Sequence, residues 1–119
     1  MSKKPYAALN KVFHEPNRLA IVSALCTTSD GLLFKDLKEE CNLTDGNLSR
    51  HLRALQRAGM IRIRKTFVKS KPQTTIYLSN RGRASFVRYL EALESVLQKA
   101  AESVHPEKQP LPLQRPARA

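Results

Sequence analysis

Thr44-Asp45-Gly46-Asn47-Leu48-Ser49-Arg50-His51-Leu52-Arg53-Ala54-Leu55-Gln56-Arg57-Ala58-Gly59 reads as a helix with a marked start and a marked stop. Thr44 supplies a side-chain oxygen for the orphan amides of the first turn, and Asp45 complements the positive end of the helix dipole. Gly59 suits the left-handed residue that closes a helix. Leu48, Leu52 and Leu55 recur at helical spacing on one side. At about 100° per residue, Arg50, Arg53 and Arg57 fall roughly opposite them. The helix therefore has an apolar face to bury and a basic face to present.

The residues on either side extend this pattern into a larger device. Downstream, Ile61-Arg62-Ile63-Arg64 alternates apolar with basic, a half-buried strand with its isoleucines inward. The alternation then weakens, because Lys65 shares the parity of Ile61, Ile63 and Phe67. Either the strand leaves the core there or a bulge resets it. Lys69-Ser70-Lys71-Pro72-Gln73 is a basic turn, and Thr75-Ile76-Tyr77-Leu78 returns with Ile76 and Leu78 inward. Upstream, residues 35 to 41 make a short helix with Leu37 and Cys41 inward, and Asn42-Leu43 is a tight turn into the capped helix. A basic-faced helix preceded by a helix and a turn and followed by a basic hairpin has the layout of a winged helix-turn-helix.

Further towards the N-terminus, Tyr6 to Phe13 carries a short apolar stripe (Tyr6, Leu9, Phe13) expected to be a first helix. Glu15-Pro16-Asn17 interrupts it, and proline suits the first position of a second helix. In that helix Leu19, Val22, Leu25 and Cys26 step by three and four. Leu32-Leu33-Phe34 follows a turn cluster and is long enough for a brief strand on the edge of the later hairpin. Ser79 is placed to cap a last long helix reaching about Val104. Its residues Phe86, Leu90, Leu93, Leu97, Ala100 and Val104 are spaced 4, 3, 4, 3, 4, a heptad seam. Residues 105 to 119 contain four prolines among scattered basic groups, and are expected to form a disordered tail to a single domain spanning 1 to 104.

Charge points to the partner. The 119 residues hold 21 basic and 10 acidic side chains, a net +11. Residues 44 to 75 alone carry Arg50, Arg53, Arg57, Arg62, Arg64, Lys65, Lys69 and Lys71 against Asp45, a local balance of +7. Such a concentration favours a polyanion, nucleic acid first and an anionic membrane surface second. No stretch approaches the ~20 apolar residues of a membrane span, and the N-terminus lacks a secretory apolar region, so a cytoplasmic protein is expected. Cys26 and Cys41 have no CxxC spacing and read as reduced, buried thiols.

Three stretches resemble the winged-helix transcriptional regulators of the MarR/ArsR-like group: Glu15 to Leu19, Thr44 to Ile61, and Lys71 to Ser79 with Gly82-Arg83 after it. The similarity is strongest to small single-domain regulators whose reading helix has the form T-D-G-N-L-S-R-H-L, and it spans roughly residues 6 to 100. It implies a mainly α fold with a small β-hairpin wing and a long C-terminal dimerisation helix. It further implies a dimeric regulator whose fourth helix enters the major groove of double-stranded DNA while the hairpin touches the flanking backbone. The cysteine pairs of metal-sensing relatives are missing, so no metal or other cofactor is expected.

Residue chemistry assigns roles within that frame. Asn47 can pair with adenine and Arg50 with guanine, and the small Gly46 admits close approach to the bases. Thr44, Ser49, Arg53, Arg57, Arg62, Arg64, Lys69 and Lys71 are candidates for phosphate contacts. Tyr6, Leu9, Phe13, Leu90, Leu93, Leu97, Ala100 and Val104 are candidates for a homodimer interface, because the last helix extends beyond what a small body covers. A symmetric pair implies an inverted-repeat operator. His51 suits a packing or groove-flank role. There is no phosphate-binding glycine loop and no nucleophile–base pairing, so an enzyme is not expected. The alternatives are a winged-helix protein-interaction module and a non-specific, chromatin-like DNA binder.

Overall fold

The computed structural model describes residues 10–104, in the order α1 (Pro16–Leu25), β1 (Leu32–Leu33), α2 (Phe34–Cys41), α3 (Asp45–Arg57), β2 (Ile61–Val68), β3 (Lys71–Leu78) and α4 (Asn80–Ser103). The strands form one antiparallel sheet in the order β1-β3-β2. This is a mainly α winged helix with a long last helix.

Local chemistry places most boundaries. The Glu15 carboxylate accepts from the Arg18 amide at 2.8 Å and starts α1, with Pro16 at its first position. Asn42 ends α2 in the left-handed conformation (φ 55°), which a short polar side chain tolerates. Two residues later the Thr44 hydroxyl accepts from the Asn47 amide at 3.1 Å and starts α3. Lys38 of α2 and Asp45 of α3 meet at 2.8 Å across that turn. Gly59 follows α3 at φ 78°.

Ser79 joins the end of one element to the start of another. Its hydroxyl donates to the Gly59 carbonyl at 2.7 Å and accepts from the Gly82 amide at 2.8 Å, while its own amide donates to the Met60 carbonyl. It caps α4 and pins it to the α3–β2 junction. Gly82 permits that approach: a Cβ there would stand 2.0 Å from the Met60 oxygen.

Phe13, Ile21, Val22, Leu25, Leu37, Leu48, Leu55 and Ile76 form the centre of the core, each fully buried. Burying a side chain of this size is worth about 1.5–3 kcal/mol. An aromatic cluster ties α4 to this core. Phe13 meets Phe86 and Tyr89 edge-on at centroid distances of 5.2 and 5.5 Å, and Phe86 stacks on Tyr89 at 5.8 Å. The Tyr89 hydroxyl lies 3.0 Å from His14 Nδ1.

Several expectations change. Phe34 begins α2 instead of ending β1, although Leu32 and Leu33 do pair with Ile76 and Thr75. The described end of the expected first helix is a turn, with the Phe13 amide bonded to the Asn10 carbonyl; Tyr6 and Leu9 lie outside the described residues. Phe13 itself is in the core and is not available to an interface. β2 runs unbroken to Val68 in one-to-one register with β3, so the strand leaves the core beyond Ile63 and no bulge intervenes. The loop shrinks to Lys69-Ser70, both at positive φ (53° and 66°), a twist that matches the flanking strands and draws Lys71, Pro72 and Gln73 into the ladder. Pro72 sits where β1 no longer covers β3, an edge position that proline tolerates. The expected tail, residues 105 to 119, also lies outside the described residues. No described helix is long and apolar enough to cross a membrane.

Candidate nucleic-acid interface

α3 divides by face. Leu48, His51, Leu52 and Leu55 are buried, whereas Asp45, Gly46, Asn47, Arg50, Arg53, Gln56 and Arg57 are exposed. On the outer face the Arg50 guanidinium donates to the Asn47 carboxamide oxygen at 3.3 Å, so the two expected base readers form one unit. Gly46 stands beside them with nothing among the described residues within 4 Å of the position a Cβ would take, and its φ is not positive. Neither backbone conformation nor packing inside the domain requires a glycine there. The Thr44 hydroxyl is engaged as an acceptor and keeps its proton for an outside partner.

Between α3 and the wing lies an open cleft of about 430 Å³. Ser49, Arg53 and Gln56 form its helix wall and Lys65 and Thr74 its wing wall, over a floor of Phe34, Leu52 and Ile63. Register explains why Lys65 is there. Residues opposite each other in an antiparallel pair share a face, and Lys65 pairs with Thr74 two steps beyond Ile63 and Ile76. Lys65 therefore continues the inward face of the sheet past the edge of the core. Its parity with the isoleucines, visible in the sequence, is the signal for this position, although the contact residues expected from the sequence do not include Lys65.

Arg62 and Arg64 alternate to the other face. They line a separate depression with Tyr77, Leu78, Ser79 and Asn80, away from α3. Lys69 is in the hairpin turn and Lys71 opens β3, both exposed at the wing tip. Arg57, in the last turn of α3, is exposed at the end remote from Asn47. The structure thus gathers Gly46, Asn47, Ser49, Arg50 and Arg53 along one helix, adds Lys65 across the cleft, and sets Arg62 and Arg64 apart.

His51 is on the inward face, 2% exposed, with no hydrogen-bond partner for either ring nitrogen among the described residues. The nearest carboxylate oxygen, Glu15 Oε1, is 3.8 Å from Nδ1. Burial lowers the His51 pKa below 6.5; the Glu15 charge opposes that shift, and Arg50 and Arg18 reinforce it. Its position is a packing one. Cys26 and Cys41 are free and half-buried, and burial raises the pKa of both thiols.

The described α4 splits the heptad seam. Phe86 is buried and Leu93 packs partly on the core, whereas Leu90, Leu97 and Val104 are 45%, 42% and 40% exposed, and Ala100 is exposed too. Tyr89, absent from the expected seam, takes the inward place beside Phe86.

A family model described as a winged helix DNA-binding domain matches residues 17–97, a span that contains α3, the cleft and the whole wing. The chain belongs to that family. An uncharacterized protein of Methanocaldococcus jannaschii is 38% identical over 80 residues, covering 67% of this chain and 86% of the relative. Among solved structures, a transcriptional regulator homologue from Pyrococcus horikoshii superposes with a TM-score of 0.75 at 24% identity, over 82% of this chain and 98% of that one. The Mycobacterium tuberculosis transcriptional regulator MosR, solved in complex with DNA, superposes with a TM-score of 0.62 at 17% identity, over 85% and 71%. MarR-family regulators share the same fold.

Proposed function

We propose that this protein is a homodimeric transcriptional regulator that binds double-stranded DNA at a preferred sequence. The observation that carries the reading is the outer row of α3. Gly46, Asn47, Arg50 and Arg53 are exposed together, while the opposite face of the same helix is buried in the core. A helix of this diameter fits the major groove, where Asn47 and Arg50 have the donors and acceptors to read base edges. The phosphodiester strand that separates the two grooves would then occupy the cleft, held by Ser49 and Arg53 on one side and Lys65 on the other. The wing tip, with Lys69 and Lys71, would reach the adjacent minor groove.

Leu90, Leu97 and Ala100 on α4, with Val104 at its C-cap, support the dimer. They are apolar, exposed and spaced by heptads, a pattern that a second copy of the same helix buries efficiently. Transcriptional control by such a dimer would act through an inverted repeat.

Selection of bound duplexes from a random pool, followed by titration of the winning sequence and a scrambled one, tests the reading. A recurring motif bound at least a hundredfold more tightly than the scramble is expected. Equal affinity for both would replace regulation by non-specific coating, and no affinity for either would leave the protein-interaction alternative.

A further inference from the structure

Phe67 is 75% exposed, the most exposed large apolar side chain among the described residues. It stands on β2 directly opposite Pro72 of β3, so the two share a face of the wing. That face is the one carrying Lys65, two residues back, and hence the side turned towards α3. Between residues 61 and 78 the chain has five basic and no acidic side chains, so this apolar pair is set in a cationic ribbon. Folding gives no reason for it, because the strand has left the core well before residue 67.

We propose that Phe67, backed by Pro72, is a wedge that enters the minor groove beside each half-site and partly unstacks one base step. This rests on the DNA-binding reading above. A duplex offers what this surface lacks: phosphates for Lys65, Lys69 and Lys71, and between them a narrow slot floored by the edges of stacked bases. Apolar side chains driven between base steps kink the duplex, and pyrimidine–purine steps yield most readily. The wedge would therefore add a preference for such a step at a fixed distance outside the bases read by Asn47 and Arg50. It would also bend the DNA, bringing the flanking backbone onto the wing.

The test uses the full chain and a duplex that the wild-type protein has selected, with 2-aminopurine placed at the flanking step. Wild type is expected to raise the 2-aminopurine fluorescence and to shift the end-to-end energy transfer of a dye-labelled duplex. Phe67→Ala should abolish both signals, lose the flanking preference and weaken binding about tenfold, while keeping the motif read by α3. Phe67→Leu should retain much of both signals, since an aliphatic wedge also unstacks. Phe67 is exposed, so a melting curve for each variant should match wild type. If wild type binds the duplex and Phe67→Ala equals it in fluorescence, bend and affinity, the wedge is wrong and the DNA-binding reading stands. A Phe67→Ala variant altered in sedimentation alone would assign Phe67 to a protein contact and overturn the wedge as well. If wild type binds no duplex, the reading beneath the proposal has failed.

Discussion

The Arg50 guanidinium donates to the Asn47 side-chain oxygen at 3.3 Å, one turn apart on the exposed face of α3. In the free protein each residue thus restricts the other. Arg50 is held along the helix surface, and the Asn47 carbonyl is occupied by the group that would compete with adenine for it. On the proposed reading, engaging DNA would exchange this bond for bonds to bases, or keep it as a bridge between two adjacent base contacts. In either case the two residues act as a pair.

A double-mutant cycle detects that coupling. Arg50→Ala and Asn47→Ala should each cost about 1–3 kcal/mol on the selected site and relax preference at particular bases. Together they should cost less than the sum, by about 0.5 kcal/mol or more. Full additivity on the selected duplex would mean that the two side chains work independently. An unchanged motif after Arg50→Ala would remove this helix from the major groove.

Gly46 is where stability and binding should part. No neighbour occupies the space of its Cβ and its φ is ordinary for a helix, so Gly46→Ala should stabilise the protein by up to about 1 kcal/mol. If DNA approaches this face as proposed, the added methyl meets it, and affinity should fall about tenfold, equivalent to about 1.4 kcal/mol. Melting and titration of the same variant measure both. A variant that melts higher and binds as well as wild type would leave the glycine unexplained.

The cleft makes a second separation, this time among cations. Lys65 and Arg53 face each other across it, whereas Arg62 and Arg64 lie on the far side of the wing. Lys65→Ala should weaken binding to all sequences alike and reduce the slope of log affinity against log salt by about 0.9, the share of one phosphate. Arg62→Ala and Arg64→Ala should change that slope by less. Equal effects from the two groups would mean that DNA wraps both faces of the wing.

How much of this was legible beforehand depended on whether one periodicity governed a segment. α3 was, because Thr44, Asp45, Gly59 and the leucine spacing all specify one helix, and the structure has it at Asp45–Arg57. The hairpin was legible only as far as the core reaches. From Lys65 outward no burial enforces the alternation, and the turn is set by two residues at positive φ, Lys69 and Ser70, that carry no glycine signal. In α4 the heptad seam overlaid two stripes. Tyr89 gives little core signal, because its polar hydroxyl masks a ring that packs against both Phe13 and Phe86. That Phe13 would bury in its own domain depended on α4, 73 positions away, and no local pattern contains it.

His51 predicts an acid-sensitive fold. Its folded pKa is below 6.5, chiefly through burial, so the unfolded chain takes up the proton first as pH falls. Stability from the neutral ring is complete above pH 6.5 and is lost as pH drops from there towards the folded pKa. His51→Leu should flatten the stability curve in that window. At pH 7 it should also gain about 1 kcal/mol, because it removes two buried nitrogens that lack partners among the described residues. Denaturant melts of both proteins between pH 5 and pH 8 measure the difference, and an unchanged slope in His51→Leu would assign the acid response to other groups. Glu15→Gln, which keeps an acceptor for the Arg18 amide but removes the opposing charge, should deepen the loss.

In the proposed dimer, the exposed stripe of α4 would tie subunit pairing to operator geometry. The helix of 24 residues is about 36 Å long, and Leu90 and Leu97 present their side chains outward while Phe86 and Tyr89 hold the near half on the core. Pairing about a two-fold axis makes the two α3 helices symmetry mates on one side of the DNA. They would then enter successive major grooves about 34 Å apart, so the operator should have inverted half-sites about 10 base pairs apart, centre to centre. Leu93 is a poor probe of this seam because it also packs on the core, so its loss would mix folding with pairing. Leu90→Glu with Leu97→Glu touches the seam alone. It should place unpaired charge in the interface, yield a monomer, and leave the melting of the single domain little changed. Affinity for the full repeat should fall by about a hundredfold or more, because two tethered weak contacts become one, while affinity for a single half-site should scarcely move. Sedimentation of both proteins, alone and on full and half operators, decides it. A double mutant that still sediments as a dimer, or a wild type that is monomeric at micromolar concentration, would separate this stripe from DNA binding.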